Sequence, residues 1–163
     1  MSLALYKQKI GSAVAAVLTP LRFRQKDFIF TRQLGEVAHI ISLQSSVSST
    51  ASLLKITVNL GVFVPSLADD GTKPDLLGSH WQMRLGFLMP EHIDYWWEVS
   101  GDTDAERVAS QIVASIQMYA LPQFEQLETR DALVTLWRAG RSPGLTAFQM
   151  KRYLDKLEHE PAA

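Results

Sequence analysis

Residues 53–64 read Leu53-Leu54-Lys55-Ile56-Thr57-Val58-Asn59-Leu60-Gly61-Val62-Phe63-Val64. Leu54, Ile56, Val58, Leu60, Val62 and Val64 fall on one side of an extended chain. Lys55, Thr57, Asn59, Gly61 and Phe63 fall on the other. A strand sends successive side chains to opposite faces, so a period of two builds one apolar face and one mixed face. β-Branched residues suit that pleated surface. Upstream, Val37, His39, Ile41 and Leu43 share a face of a second strand-like run. The small polar stretch Ser45–Ser52 suits a turn between antiparallel neighbours.

Working outward, Phe28–Gln33 is a further strand, and Leu34-Gly35 makes a tight hairpin in which glycine supplies a positive φ. Arg22–Asp27 reads as a basic connection. Ser2–Thr19 is a helix with an apolar stripe of Leu3, Tyr6, Ile10, Ala13, Val17 and Leu21, ended by Pro20. After Val64 the alternation stops, and Ser66–Ser79, with Asp69-Asp70-Gly71, Pro74 and Gly78, reads as an exposed loop. His80–Leu88 and Tyr95–Val99 are returning strands. Helices follow: Asp104 to about Leu121 with Val108, Ile112, Ile116 and Tyr119, interrupted by Pro122; a helix capped by Thr129 with Leu133, Leu136 and Trp137; and Leu145–Glu158. Strands and helices are segregated, which argues for an α+β domain. It has an N-terminal helix, a mostly antiparallel sheet of four to five strands with helices packed on one face, and C-terminal helices.

The 163 residues fit one domain, large enough to bury a core without disulfides. With 47% hydrophobic and 20% charged residues the composition is ordinary for a globular chain. The formal net charge of −1 gives no global field for nucleic acid or anionic membrane. The absence of cysteine rules out thiol chemistry and cysteine-ligated zinc. Lys7 and Lys9 before the apolar stretch Ile10–Leu21 loosely resemble a signal peptide, but Gly11, Ser12 and Thr19 dilute it. Arg22-Phe23-Arg24 then stands where a small-residue cleavage site belongs. No run reaches the roughly 18 apolar residues of a membrane span. The expectation is a cytoplasmic protein.

Short motifs in order along the chain, Leu43-Gln44-Ser45-Ser46, Val58-Asn59-Leu60-Gly61, Arg84-Leu85-Gly86 and Trp96-Trp97, resemble the landmarks of the DUF4304 domain family. A Leu-Pro-x-Phe segment, Leu121–Phe124, follows them. The resemblance covers roughly residues 6–137 and leaves the helical extension at about 145–158 outside. It implies a single-domain α+β fold in a bacterial family without an assigned activity, and it supplies no catalytic residue and no cofactor.

Catalytic patterns are weak. Gly140-Arg141-Ser142-Pro143-Gly144 matches G-x-S-x-G, but a nucleophile elbow needs a preceding strand, and a helix precedes here. His39, His80, His92 and His159 lack metal-ligand spacing, and His39 on an apolar strand face reads as a hydrogen-bonded core residue. Glu91, Asp94 and Glu98 near His92 read as a solvated charge cluster. The strongest constellation is on the mixed sheet face: Gln44, Lys55, Thr57 and Asn59, joined by Arg84. Such donors could grip a carboxylate, a phosphate or a partner backbone, or simply be a solvated face or tie a loop down. Trp96 and Trp97 point to opposite faces, so one is core and the other a candidate interface residue. Beside Arg22, Arg24, Lys26 and Arg32 the exposed indole would suit single-stranded nucleic acid, against which stand the charge balance and the lack of an RNA-binding fingerprint. The expected function is therefore a non-enzymatic protein-binding module, of which toxin immunity is one form. A small-ligand sensor using the polar sheet face comes second, and an enzyme of unrecognised type third.

Overall fold

The structure, a computed structural model, describes residues 2–143 and 145–159. Six strands form one antiparallel sheet: β1 (Arg24–Lys26), β2 (Ile29–Leu34), β3 (Val37–Ser45), β4 (Leu54–Phe63), β5 (Trp81–Arg84) and β6 (Trp97–Val99). The order is β1-β2-β3-β4, and the far edge of β4 is shared. β5 pairs with residues 59–62 of β4 and β6 with residues 54–56. Thr57 and Val58 lie in the gap between these two partners.

The apolar face predicted for β4 is the core. Leu54, Ile56, Val58, Leu60, Val62 and Val64 are all buried. Opposite them in register stand Ile41 and Leu43 of β3, and Phe30 of β2 continues the row. Helix α1 (Leu3–Leu18) and helix α2 (Asp102–Ser115) pack against each other and over this face. The buried stripe of α1 is Tyr6, Ile10, Val14 and Leu18, rotated from the expected one, and Leu21 is exposed. Trp97 belongs to the same core.

The remaining differences from the sequence reading have local causes. Arg22–Asp27 is not merely a connection: it contains β1, a sixth strand whose residues are all exposed and so leave no apolar period. The strand expected over His80–Leu88 stops at Arg84 and becomes a 3₁₀ turn, Leu85–Phe87. The strand expected over Tyr95–Val99 begins only at Trp97. Pro122 does not interrupt the long helix. The chain passes from α2 through a π-helical turn, Ile116–Ala120, into α3 (Leu121–Glu125). The missing N–H of Pro122 falls at the first turn of α3, where a proline costs least. Gly101 is the N-cap of α2, which starts two residues before the expected Asp104, and Asp102 and Asp104 stand in its first turn. There they complement the helix dipole. Thr129 caps α4 (Arg130–Arg138) as expected, and Thr146 opens α5 (Ala147–Glu158) with a capping box to Gln149.

His39 is a core residue in a defined tautomer. Arg32 Nη2 lies 3.0 Å from His39 Nδ1, and His39 Nε2 lies 2.8 Å from the Leu127 carbonyl oxygen. Arginine can only donate, so Nδ1 accepts and Nε2 carries the proton given to Leu127. The imidazole also stacks on Phe124 at 4.3 Å, and Arg32 lies over Phe23. His80, immediately before β5, accepts from the Val64 backbone N–H at 3.0 Å. Burial pushes both imidazoles down to about 4, with the charge of Arg32 adding to the effect at His39 and that of Lys156 at His80.

In the unfolded chain both histidines titrate near 6.5. Between that value and about 4 the unfolded state binds protons that the folded state refuses. Stability is therefore full above about pH 6.5 and is lost as pH falls toward 4. Urea midpoints measured between about pH 7 and pH 5, above the ordinary carboxylate range, should fall steadily. A flat profile there would contradict the buried, neutral state of both rings.

Candidate functional site

The second face of the sheet is only partly covered. At one end the segment Pro65–Ser79 folds back over it, and Ala68 and Leu76 pack on Ala38, Ile40 and Phe63. Gly61 permits this approach, since a Cβ there would lie 2.6 Å from Ser79 Oγ and 3.2 Å from Leu76. Beyond that cover the face opens into a groove of about 760 Å³.

Antiparallel register sets its floor. Asn59 of β4 stands between Ser42 of β3 and Arg84 of β5, and Gln44 is opposite the neighbouring same-face residue Thr57. Arg84 Nε donates to Asn59 Oδ1 at 3.4 Å, and Asn59 Nδ2 donates to Gln44 Oε1 at 2.7 Å. Because a guanidinium cannot accept, it fixes the direction of the whole row. Asn59 must turn its carbonyl to Arg84, Gln44 must turn its own carbonyl to Asn59, and the Gln44 amide N–H groups are left facing outward. Among the described residues no acceptor takes them. Arg84 Nη1 also donates to Asp94 in an ion pair, and its guanidinium lies 5.1 Å above the Trp96 ring.

The walls are apolar. Leu76 and Met83 line the interior, and Leu77, Phe87 and Pro143 stand at the rim. Leu77 is 90% exposed and Phe87 45%. Asp94 is held in place by a fold-back of residues 85–96: a Cβ on Gly86 would collide with the Ile93 carbonyl and lie 2.6 Å from Tyr95 N. The glycine of Arg84-Leu85-Gly86 is thus a packing requirement of the site.

The predicted residues separate into distinct roles. Gln44, Asn59 and Arg84 come together. Thr57 is fully buried, and its hydroxyl donates to the Tyr95 carbonyl at 2.8 Å, filling the gap between β5 and β6. It ties a loop down and does not face a ligand. Lys55 lies outside the groove and pairs with Glu98 at 3.4 Å. Trp97 is core, whereas Trp96 is half-buried beneath Arg84. Asp94, Leu77 and Phe87 were not read as members of this constellation. Asp94 and Glu98 serve separate ion pairs, and His92 hydrogen-bonds the Phe87 carbonyl, so these acids and the histidine do not form one cluster. Arg24 and Lys26 lie on β1, at the opposite edge of the sheet from Trp96, and Arg32 is engaged with His39. Ser142 is buried in a helix-to-helix connection with no hydrogen-bond partner for its Oγ among the described residues, and Gly144 of that motif lies outside them. Among the described residues no group of three His, Asp or Glu side chains could hold a metal ion, and no helix is long and apolar enough to cross a membrane.

The row Arg84–Asn59–Gln44 behaves as one unit if it is wired as described. Removing Asn59 strands a donor on one side and an acceptor on the other. Asn59→Ala should cost about 1–3 kcal/mol in urea unfolding. Combined with Arg84→Ala in a double-mutant cycle, it should show a coupling of about 0.5 kcal/mol or more. Strict additivity would refute the contact.

No curated protein and no solved structure matches the chain. One family model does, that of a domain of unknown function, over residues 14–126. The matched span runs from the middle of α1 to the end of α3 and contains all six strands and the polar floor of the groove. α4 and α5 lie beyond it. With well over half of its length matched, the chain belongs to the DUF4304 family.

Proposed function

We propose that this protein is a non-enzymatic binding module and that the groove on the second sheet face receives a segment of a partner protein. One observation carries this reading: exposed Leu77 and Phe87 stand over a cavity whose polar floor is already oriented. Large apolar side chains beside a concave surface mark interaction sites more often than scattered single ones do. Here they flank the outward donors of Gln44, which suit a backbone carbonyl, while the walls suit an apolar side chain. Arg84 is matched by Asp94, so the floor carries no net charge that would demand an anion. The separation of His92, Asp94 and Glu98 into unrelated contacts gives no paired acid and base, which favours binding over catalysis. An intracellular bacterial setting, with toxin neutralisation as one form of the partnership, belongs to the same proposal.

The volume favours a second reading. About 760 Å³ lies within the range of small-ligand sites, and apolar walls with few convergent polar groups are typical of them. A metabolite with an apolar body and a carbonyl would use the same contacts.

The two readings separate in one experiment. Tagged protein and its Leu77→Asp, Phe87→Asp variant are purified from the native host, and stoichiometric companions are identified by mass spectrometry. Both residues are exposed, so the variant should keep its fold and melting temperature. A companion protein present with the unmodified chain and lost with the variant is the expected result. A companion retained by the variant would place the interface elsewhere. A solitary protein stabilised by a metabolite in a thermal-shift screen would favour the second reading.

A further inference from the structure

A second cavity, of about 330 Å³, lies away from the groove, where α5 folds back over Phe63 and the start of β5. Its polar lining is His80, Arg152, Lys156, Thr72 and Asp69. We propose that this cavity binds a small oxyanion, with the Arg152 guanidinium, the Lys156 ammonium and the His80 Nε2–H as donors.

The arrangement follows from the chain. Arg152 and Lys156 are four residues apart on α5 and so share one helix face. Lys156 is oriented by donating to the Leu67 carbonyl at 3.0 Å, which leaves it further N–H bonds. Arg152 has no hydrogen bond or ion pair among the described residues. His80 is 4% exposed and lines the cavity. The Val64 N–H donates to its Nδ1, so the neutral ring must carry its proton on Nε2. No hydrogen bond accepts from Nε2 among the described residues. Tyr153 meets the imidazole edge to face, with centroids 5.0 Å apart, and with Phe63 it holds the ring still. A donor without an acceptor on a largely buried side chain, in a cavity lined by two cations, is complemented by a compact group of acceptor oxygens bearing negative charge. Asp69 is the carboxylate at the site and forms no ion pair with either cation among the described residues; its single charge leaves the cavity with a positive excess. The titratable and charged groups that line the cavity or touch the His80 ring are Asp69, Arg152, Lys156 and Tyr153.

The test uses the full chain and two probes, inorganic phosphate and acetate, each added at constant ionic strength with chloride as the balancing ion. The His80 ring resonances are followed by NMR. The expected result is a saturable shift of His80 with one or both probes while the Val64 amide keeps its hydrogen-bonded position. Phosphate alone would mark the site for phosphate groups, and acetate alone for carboxylates. Arg152→Gln, on the exposed face of α5, should weaken binding by roughly tenfold or more, and Lys156→Gln provides a second variant. No saturable shift with either probe, or the same affinity in both variants, would overturn the proposal.

Discussion

β4 is covered on every side. Its edges are hydrogen-bonded to β3 on one side and to β5 and β6 on the other, and from Ile56 to Phe63 every residue is buried on both faces. That constraint governs the rest of the molecule. On the helix side it is met by apolar packing with α1 and α2. On the other side the residues are Thr57, Asn59, Gly61 and Phe63, and three different covers serve them. Phe63 and Gly61 are covered by the Pro65–Ser79 segment, Thr57 by the Tyr95 carbonyl, and Asn59 by the side chains of Gln44 and Arg84. A buried amide without partners would cost about 1–3 kcal/mol, so the row of hydrogen bonds that satisfies Asn59 also defines the floor of the groove.

The direction of that row matters as much as its presence. Arg84 brings only donors, so polarity propagates through Asn59 to Gln44 without freedom to reverse. A patch that looks like interchangeable polar residues becomes a fixed array, with donors outward at one end and an ion pair at the other. Fixed donors beside apolar walls reduce the ordering cost of an incoming group. Stability and recognition thus draw on the same side chains.

Much of this was legible from alternation. The period of two through Leu54–Val64 gave the core face, and the same alternation correctly put Gln44, Thr57 and Asn59 together on the reverse. It could not show that Thr57 and Asn59 are buried, because the Tyr95 carbonyl and the Arg84 side chain that help cover them come from 38 and 25 positions further on. Arg24-Gln25-Lys26 forms a strand through backbone pairing with β2 alone, with no buried side chain to announce it. Leu77 and Phe87 gained meaning only once two loops brought them to one rim. His80 was visible as an isolated histidine, and Arg152 and Lys156 as a one-turn pair, but nothing local says that α5 returns to the start of β5. In each case the missing information is a long-range contact.

The central claim is that the groove, and not another surface, meets the partner. The most direct measurement is in-cell photo-crosslinking in the native host, with a photoreactive phenylalanine analogue placed at Leu77 in one strain and at Val47 in another. Val47 is fully exposed at the β3–β4 turn, is not among the groove's lining residues, and controls for accidental encounters. The account predicts a discrete adduct of defined mass from position 77 and none from position 47. Adducts from position 47 alone, or an identical pattern from both, would contradict it.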